Sequence, residues 1–302
     1  MIPLNVPFSA LKGRALFSLI FFTSPGLVAA ENSATQTKKT TDETMTVVAD
    51  GSRQSATNGY QPVNTSTATL TTMPMLDIPQ VVNTVSEQVL EDQHATNLDE
   101  ALYNVANVVQ TNTLGGTQDA FSRRGFGANR DGSIMTNGLR TVLPRSFTAA
   151  TERVEVLKGP ASTLYGILDP GGLINVVTKR PERSFGGSVS ATSTSFGGGS
   201  GQFDVTGPID GTPLAYRVIG EYQHEDYWRN FGKQKTSFIN PSLTWFGERA
   251  TVNVSYSHRN YSTPFDRGTI FDLNTGHAVN VDRKTRFDEP FNITDGIPTS
   301  RS

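Results

Sequence analysis

The stretch 151–181 constrains this chain most. It holds two β-branched runs, Val154 to Leu157 and Leu173 to Thr178, which predict two short strands. Gly159-Pro160, Gly166 and Pro170-Gly171-Gly172 lie between them as turn punctuation. Glu152, Arg153, Glu155, Lys158, Lys179 and Arg180 put charges of both signs on and beside these strands. Unpaired buried charges are costly, so a sheet of this kind needs countercharges from its surroundings.

Beyond Gly187 the pattern changes to a period of two. Phe203 and Val205 alternate with Gln202, Asp204 and Thr206. Leu214, Tyr216, Val218, Gly220 and Tyr222 share one face; Arg217, Glu221, Gln223 and Glu225 share the other, with Ala215 and Ile219 among them. Ile239, Leu243 and Trp245 alternate with Asn240, Ser242 and Thr244, and Val252, Val254 and Tyr256 with Thr251, Asn253, Ser255 and Ser257. One apolar face and one wet face, with aromatic ends, is the pattern of lipid-facing barrel strands. A soluble β-sandwich alternates as well. The breaks at 197–199, 208–213, 228–232 and 247–248 divide the region into five strands. Natural barrels close with about eight strands or more. An open sheet leaves backbone groups that lipid cannot satisfy, so the expectation is a fragment of a longer chain or a truncated product.

The N-terminus predicts export. Lys12 and Arg14 precede an apolar run at 15–22, and Val28-Ala29-Ala30 offers small residues for cleavage. This is the form of a signal peptide over 1–30, with a buried N-terminal helix as the competing reading. No other apolar run approaches the length of a spanning helix, although barrel strands conceal their apolarity in alternation. The chain has no cysteine, which excludes disulfides, thiol catalysis and Cys-type zinc sites. A net charge of −2 gives no pointer to nucleic acid.

The stretch 151–181 resembles the plug-domain signature of TonB-dependent outer-membrane receptors, in particular the ferric-siderophore branch of hydroxamate (ferrichrome–ferrioxamine-like) type. The resemblance implies a plug held inside a barrel of about 22 strands, its charges paired with the wall. It implies an α+β plug domain followed by the first strands of an antiparallel transmembrane β-barrel, here incomplete. A small soluble α+β domain with a chance match is the bland alternative. The signature residues are Arg124, Gly125, Glu152, Arg153, Glu155, Lys158, Gly159, Gly171, Gly172, Lys179 and Arg180, in structural roles. The implied domains are a signal peptide at 1–30, a flexible N-terminus at 31–72, the plug at 73–182, and five barrel strands with an extracellular loop at 183–302. A plug enters its first wall strand from the periplasm, so strand five would end outside, near Tyr261, and the tail would lead into a sixth strand. The chain ends without the C-terminal aromatic residue that membrane insertion uses in this family.

Within the plug, the sequence from Met73 to Val85 predicts a strand with prolines at its margin. Ser86 is a candidate cap for a helix through Leu90, and Asn97 with Glu100 forms a partial capping box. Leu98, Ala101, Leu102 and Val105 fall on one helical face. Asn107 stands where the family usually has glycine, and asparagine tolerates positive φ. The 121–126 segment resembles the family's Arg-Gly-Phe strand. Asn137-Gly138 is a tight hairpin turn. Gly125-x-Gly127-x-x-Arg130 lacks the third glycine and the βαβ setting of a nucleotide loop.

Glu43, Thr44, Met45, Thr46, Val47 and Val48 are similar to the family's TonB box, here spanning 42–49. A short β-branched segment between flexible flanks can add as an edge strand to a partner's sheet. The same composition also suits the plug's own first strand. The resemblance implies TonB, with its inner-membrane energising complex, as partner. It also implies a ferric siderophore as transported ligand, contact with outer-membrane lipid, a monomer, no nucleic acid, no cofactor and the outer membrane as location. Ligand-facing loops would be 113–118, 128–133 and 143–147, with Gln118, Arg130, Arg145 and Phe147 as candidates; the arginines pair equally well with barrel carboxylates. No catalytic constellation or metal-ligand spacing occurs, as His94, His224, His258 and His277 are scattered. The expectation is a transporter and not an enzyme. The rivals are a receptor for cobalamin or haem, and a non-transporting periplasmic plug remnant.

Overall fold

A computed structural model describes residues 4–7, 59–60, 62–127, 132–141, 145–266, 268, 270–287, 293–296 and 299–301. The TonB-box segment and Arg130 lie outside these residues, as does the signal segment apart from β1 (Leu4–Pro7).

The plug begins with β2 (Asn64–Thr65) and β3 (Met73–Pro74), which pair antiparallel. Strand β4 (Val81–Val85), helix α1 (Glu87–Asp92) and helix α2 (Leu98–Ala101) follow. Met73 to Val85 is therefore not one strand. A 3-10 turn at Met75–Asp77 interrupts it between Pro74 and Pro79, neither of which can donate to a ladder. Ser86 sits at the start of α1 but makes no capping bond, and its hydroxyl is buried without a partner among the described residues. Asn97 caps as expected: its Oδ1 accepts the Glu100 N–H at 2.9 Å. The return bond of the box is displaced by one residue, from Thr96 N–H to Glu100 Oε2 at 2.8 Å.

The short pair β5 (Val108–Gln110) and β6 (Phe121–Arg123) comes next. Asn107, before it, has φ 63°, as its substitution for glycine requires. Strands β7 (Ile134–Thr136) and β8 (Leu139–Arg140) form the hairpin at Asn137-Gly138, both with positive φ. Strand β9 (Thr151–Lys158), helix α3 (Ser162–Tyr165) and strand β10 (Gly172–Thr178) complete the plug. The sheet order is β4-β9-β10-β7-β8.

The central strands β9 and β10 carry apolar residues on both faces because both faces are covered, with Glu155 and Asn175 as buried polar groups among them. Val154, Val156, Ile174 and Val176 pack with Leu90, Leu98, Leu102, Phe121 and Phe147. Leu157 and Leu173 pack on the other side with Ile78, Met135, Ala161 and Leu168. Leu98, Ala101 and Leu102 are essentially inaccessible, as their spacing predicts.

The wall strands are β11 (Gly186–Ser193), β12 (Gly198–Ile209), β13 (Leu214–Asp226), β14 (Lys233–Phe246) and β15 (Thr251–Pro264). They pair antiparallel with their sequence neighbours, with β1 against β11. Strands β16 (Ile293–Gly296) and β17 (Thr299–Arg301) pair with β15, where a sixth strand would begin. Among the described residues the sheet does not close on itself. Strand β15 runs on to Pro264, three positions past the expected end.

Parity follows the sequence. Thr236, Phe238, Asn240, Ser242 and Thr244 are buried, while Ile239, Leu243 and Trp245 are exposed. Ile219 and Phe238 of the wall meet Ala150 of the plug in a small apolar cluster. On the outward face the Phe203 ring lies over Gly220, where a side chain would collide with it.

Candidate functional site

The plug is fastened to the wall by a charge network. Lys179 Nζ lies 2.6 Å from Glu87 of α1 and 3.2 Å from Asp204 of β12. Asp204 in turn accepts two bonds from Arg217 of β13, Nε to Oδ1 at 2.7 Å and Nη2 to Oδ2 at 2.6 Å. Arg217 Nη1 also donates to the Arg180 carbonyl at 2.9 Å and meets Glu182 at 3.3 Å. Period-two alternation makes this possible: positions 204 and 217 both point inward, towards the plug. Burial works against the charge on Lys179, but the carboxylates of Glu87 and Asp204 outweigh it and raise its pKa.

Glu152, Arg153 and Glu155 find their partners inside the plug rather than on the wall. Glu155 is fully buried and accepts from Arg153 Nε at 2.6 Å, from Thr65 Oγ1 at 2.5 Å and from Thr67 Oγ1. Arg153 also bonds Glu152 at 2.7 Å. Burial raises the pKa of Glu152, against the lowering effect of Arg153. Thr67 is held further by Asn175 Nδ2 at 2.9 Å, and its carbonyl accepts the Tyr165 hydroxyl at 2.7 Å. The segment entering the plug is thus strapped across β9 and β10.

The glycines of the signature are steric requirements. Gly159 and Gly172 have φ near +110°, and a Cβ on Gly172 would collide with the Leu157 carbonyl. Gly171 passes hard against the Arg123 backbone. Arg124 and Gly125 turn the chain at positive φ, the Arg124 N–H donating to Asn107 O at 2.9 Å. Lys158 makes no ion pair among the described residues, and burial with nearby Arg124 lowers its pKa. The neighbouring Arg123 was not singled out in the sequence, yet it is buried, donating to the carbonyls of Gly172 and Phe121 at 3.0 and 3.1 Å.

The candidate ligand residues separate. Gln118 is half-buried, its amide 3.5 Å from the Asn112 carbonyl. Arg145 is clasped between Asp99 and Asp119, each at 3.2 Å. Burial opposes its charge, but Asp119 and Asp99 raise its pKa overall. Phe147 is packed in the plug core, and its carbonyl accepts from Arg259 of β15 at 3.2 Å. Arg145 and Phe147 are therefore already engaged by the plug, and the partners of Arg145 are plug carboxylates rather than barrel ones.

The rim of the site contains residues that sequence reasoning missed. The plug loop at 112–118 touches the chain leaving β15, where Asp266 N–H donates to Gly115 O at 3.1 Å. The Asp266 carboxylate accepts the Tyr227 hydroxyl at 2.9 Å and meets Arg229 at 3.2 Å. Arg229 stacks on Trp228 at 4.5 Å. Burial first, and then the bond to Asp266, pushes the Tyr227 pKa up to about 12. Tyr227, Arg229 and Asp266 lie in connections, where no periodicity marks a residue as inward. The inward charges Asp204 and Arg217 of the wall were legible through parity.

Residues 74–173 match the family model of the TonB-dependent receptor plug domain. The metal-pseudopaline receptor CntO of Pseudomonas aeruginosa is 33% identical over 253 residues, covering 82% of this chain and 35% of that protein. The ferrioxamine B receptor of Salmonella typhimurium is 28% identical over 238 residues, covering 73% of this chain and 34% of its own length. The crystal structure of the ferric-catecholate import receptor Fiu from Escherichia coli, in its open form, superposes with a TM-score of 0.63. It is 31% identical and covers 74% of this chain and 35% of that one. The fold and these matches define the class: the chain carries a TonB-dependent receptor plug domain joined to the first strands of an antiparallel outer-membrane β-barrel. It spans about a third of the length of these three receptors.

Proposed function

We propose that this chain serves TonB-dependent import of a ferric siderophore across the outer membrane. The observation that carries the reading is the plug itself, matched over residues 74–173 and fastened to the wall through Lys179, Asp204 and Arg217. A plug pinned to a wall has to be shifted before anything passes, and the outer membrane has no nucleotide supply, so the work arrives mechanically. Residues 43–48 are the proposed grip for TonB, added as an edge strand to that partner's sheet. The strap at Thr65 and Thr67 lies between that grip and the plug sheet. The proposed division of the chain remains 1–30, 31–72, 73–182 and 183–302, with export by a signal peptide.

The proposed ligand face is the outer rim, where the 112–118 loop meets Asp266, with Gln118 and Arg130 as ligand contacts. A ferric siderophore already fills the iron's coordination sphere, so polar and aromatic groups suffice to hold it. The finer form of the proposal, a hydroxamate chelate, draws support from the likeness to the ferrioxamine B receptor. The names of CntO and Fiu point to metal-pseudopaline and ferric-catecholate chelates instead.

The test uses cells that express the protein from its own locus and lack other siderophore uptake. Radio-iron uptake is measured for hydroxamate, catecholate and pseudopaline-type chelates, with cobalamin and haem as contrasts. Val47→Pro removes a ladder donor and is expected to abolish uptake while sparing ligand binding. Normal uptake in that variant rejects the mechanism. Uptake of cobalamin or haem alone rejects the ligand class.

A further inference from the structure

We propose that Asn240 is a positioning residue of the wall: its side chain supplies the strand-to-strand bond that Pro241 cannot make, and so holds the part of the wall that seats the plug. The inference concerns how the wall is kept whole beside the plug and does not depend on which ligand passes.

Proline inside a sheet removes a ladder donor, and it is ordinarily confined to edge strands, strand starts and bulges. Pro241 fits none of these. Its strand β14 lies between β13 and β15, and on the β13 side Pro241 keeps its place opposite Val218. On the β15 side the pairing stops after Ile239–His258 and resumes at Ser242–Ser255 in unchanged register, so no residue is inserted. The two rungs passed over are Asn240–Ser257 and Pro241–Tyr256. The ladders β11–β12, β12–β13 and β13–β14 run without such a break.

Antiparallel geometry explains why these two rungs fail together. A strand turns its backbone groups alternately to one neighbour and the other. An N–H at position 241 would face β15 and donate to the Tyr256 carbonyl, and both missing rungs depend on that one bond. Within a membrane no water replaces a lost donor. Asn240 replaces it. Its Nδ2 donates to the Tyr256 carbonyl at 3.2 Å and to Ser257 Oγ at 2.5 Å. A carboxamide has two N–H groups, one for each acceptor. Asn240 is buried on the inward face, so its amide is shielded from solvent as a ladder bond would be.

The place of the gap gives it a role. Phe238 shares the inward face of β14 with Asn240 and lies opposite Arg259 of β15. Both touch the plug: Phe238 packs with Ala150, and Arg259 donates to the Phe147 carbonyl. The pair that receives the plug segment 147–150 therefore stands two positions from the gap. Without the Asn240 bond, the ladder next to it is held from one side only.

The test is a double-mutant cycle on the full chain refolded in detergent, read by amide exchange. Asn240→Ala is expected to speed exchange across 254–258 about tenfold, the effect of orphaning one buried acceptor. It is also expected to speed exchange of the Thr151 N–H, which closes the turn onto the Thr148 carbonyl beside the seat. Amides at 202–206 of β12 serve as the reference and are expected to stay unchanged. Pro241→Ala restores a backbone donor, so in that background Asn240→Ala is expected to change exchange by less than about threefold. Should Asn240→Ala alone not fold, the double variant is expected to fold and to show wild-type protection. Equal loosening in both backgrounds, no loosening at 254–258, or a double variant that does not fold overturns the inference. Loosening of the wall with unchanged exchange at Thr151 overturns the seating role.

Discussion

Lys179 of the plug and Asp204 of the wall lie 3.2 Å apart, and the same carboxylate holds Arg217 through two further bonds. One wall residue therefore anchors both the end of the plug sheet and its neighbouring strand. Asp204→Asn would leave two buried cations with only the more exposed Glu87 and Glu182 beside them. The expected loss is about 3–5 kcal/mol, since breaking a buried pair leaves an uncompensated charge. Urea unfolding of the chain in detergent measures it. A change under about 1 kcal/mol would show that the network is solvated and carries little.

Glu155 has Arg153, Thr65 and Thr67 as its partners. Thr67→Val keeps the shape but removes a donor to a buried carboxylate, at an expected cost of about 1–3 kcal/mol. The loss should be local. Amide exchange at 64–67 is expected to accelerate, while that of β10 stays protected. Uniform acceleration across the plug would mean that the strap is part of the core and not a separable element.

Gly172 carries the sharpest steric demand of the signature. Gly172→Ala places a methyl group against the Leu157 carbonyl at φ +109°. The expected cost is at least about 1–3 kcal/mol, with disturbed pairing between β9 and β10. Gly125→Ala also has positive φ, but nothing lies near its added methyl group, so it should cost less. A reversed order in thermal unfolding would contradict this account.

Tyr227 is held neutral by burial and by its bond to Asp266. Its folded pKa, about 12, lies above the ordinary value of 10.0, so the folded state retains the proton that the unfolded chain gives up. The associated stability is complete below pH 10 and is lost as the pH rises towards 12. Phenolate absorbance is expected to show a late-titrating tyrosine that Asp266→Asn shifts to lower pH. No late tyrosine in the wild-type chain would show that the 2.9 Å bond does not form in solution.

Much of the architecture was legible because it rests on local rules. The two β-branched runs became β9 and β10, and Asn137-Gly138 became their neighbour's hairpin turn. The wall parity at 214–219 and 239–245 emerged as written, since a strand has only two faces and only one meets the plug. Met73 to Val85 reads as continuous by its hydrophobic content, but its prolines break it at Met75–Asp77. The rim was harder. Arg145 and Phe147 looked available for a ligand because charge and aromaticity say nothing of neighbours, and Asp99, Asp119 and the plug core had already taken them.

The sequence by itself determined the strand pattern, the turns, the face each wall residue takes and the need of the plug's charges for company. Backbone sterics and the period of two act between near neighbours, so a linear reading captures them. Only the tertiary structure decided which partner each charge has: Lys179 goes to Asp204 on the wall, while Arg153 stays with Glu155 inside the plug. Electrostatic pairing depends on distance in space, and residues many positions apart are brought within reach only once the sheets have packed.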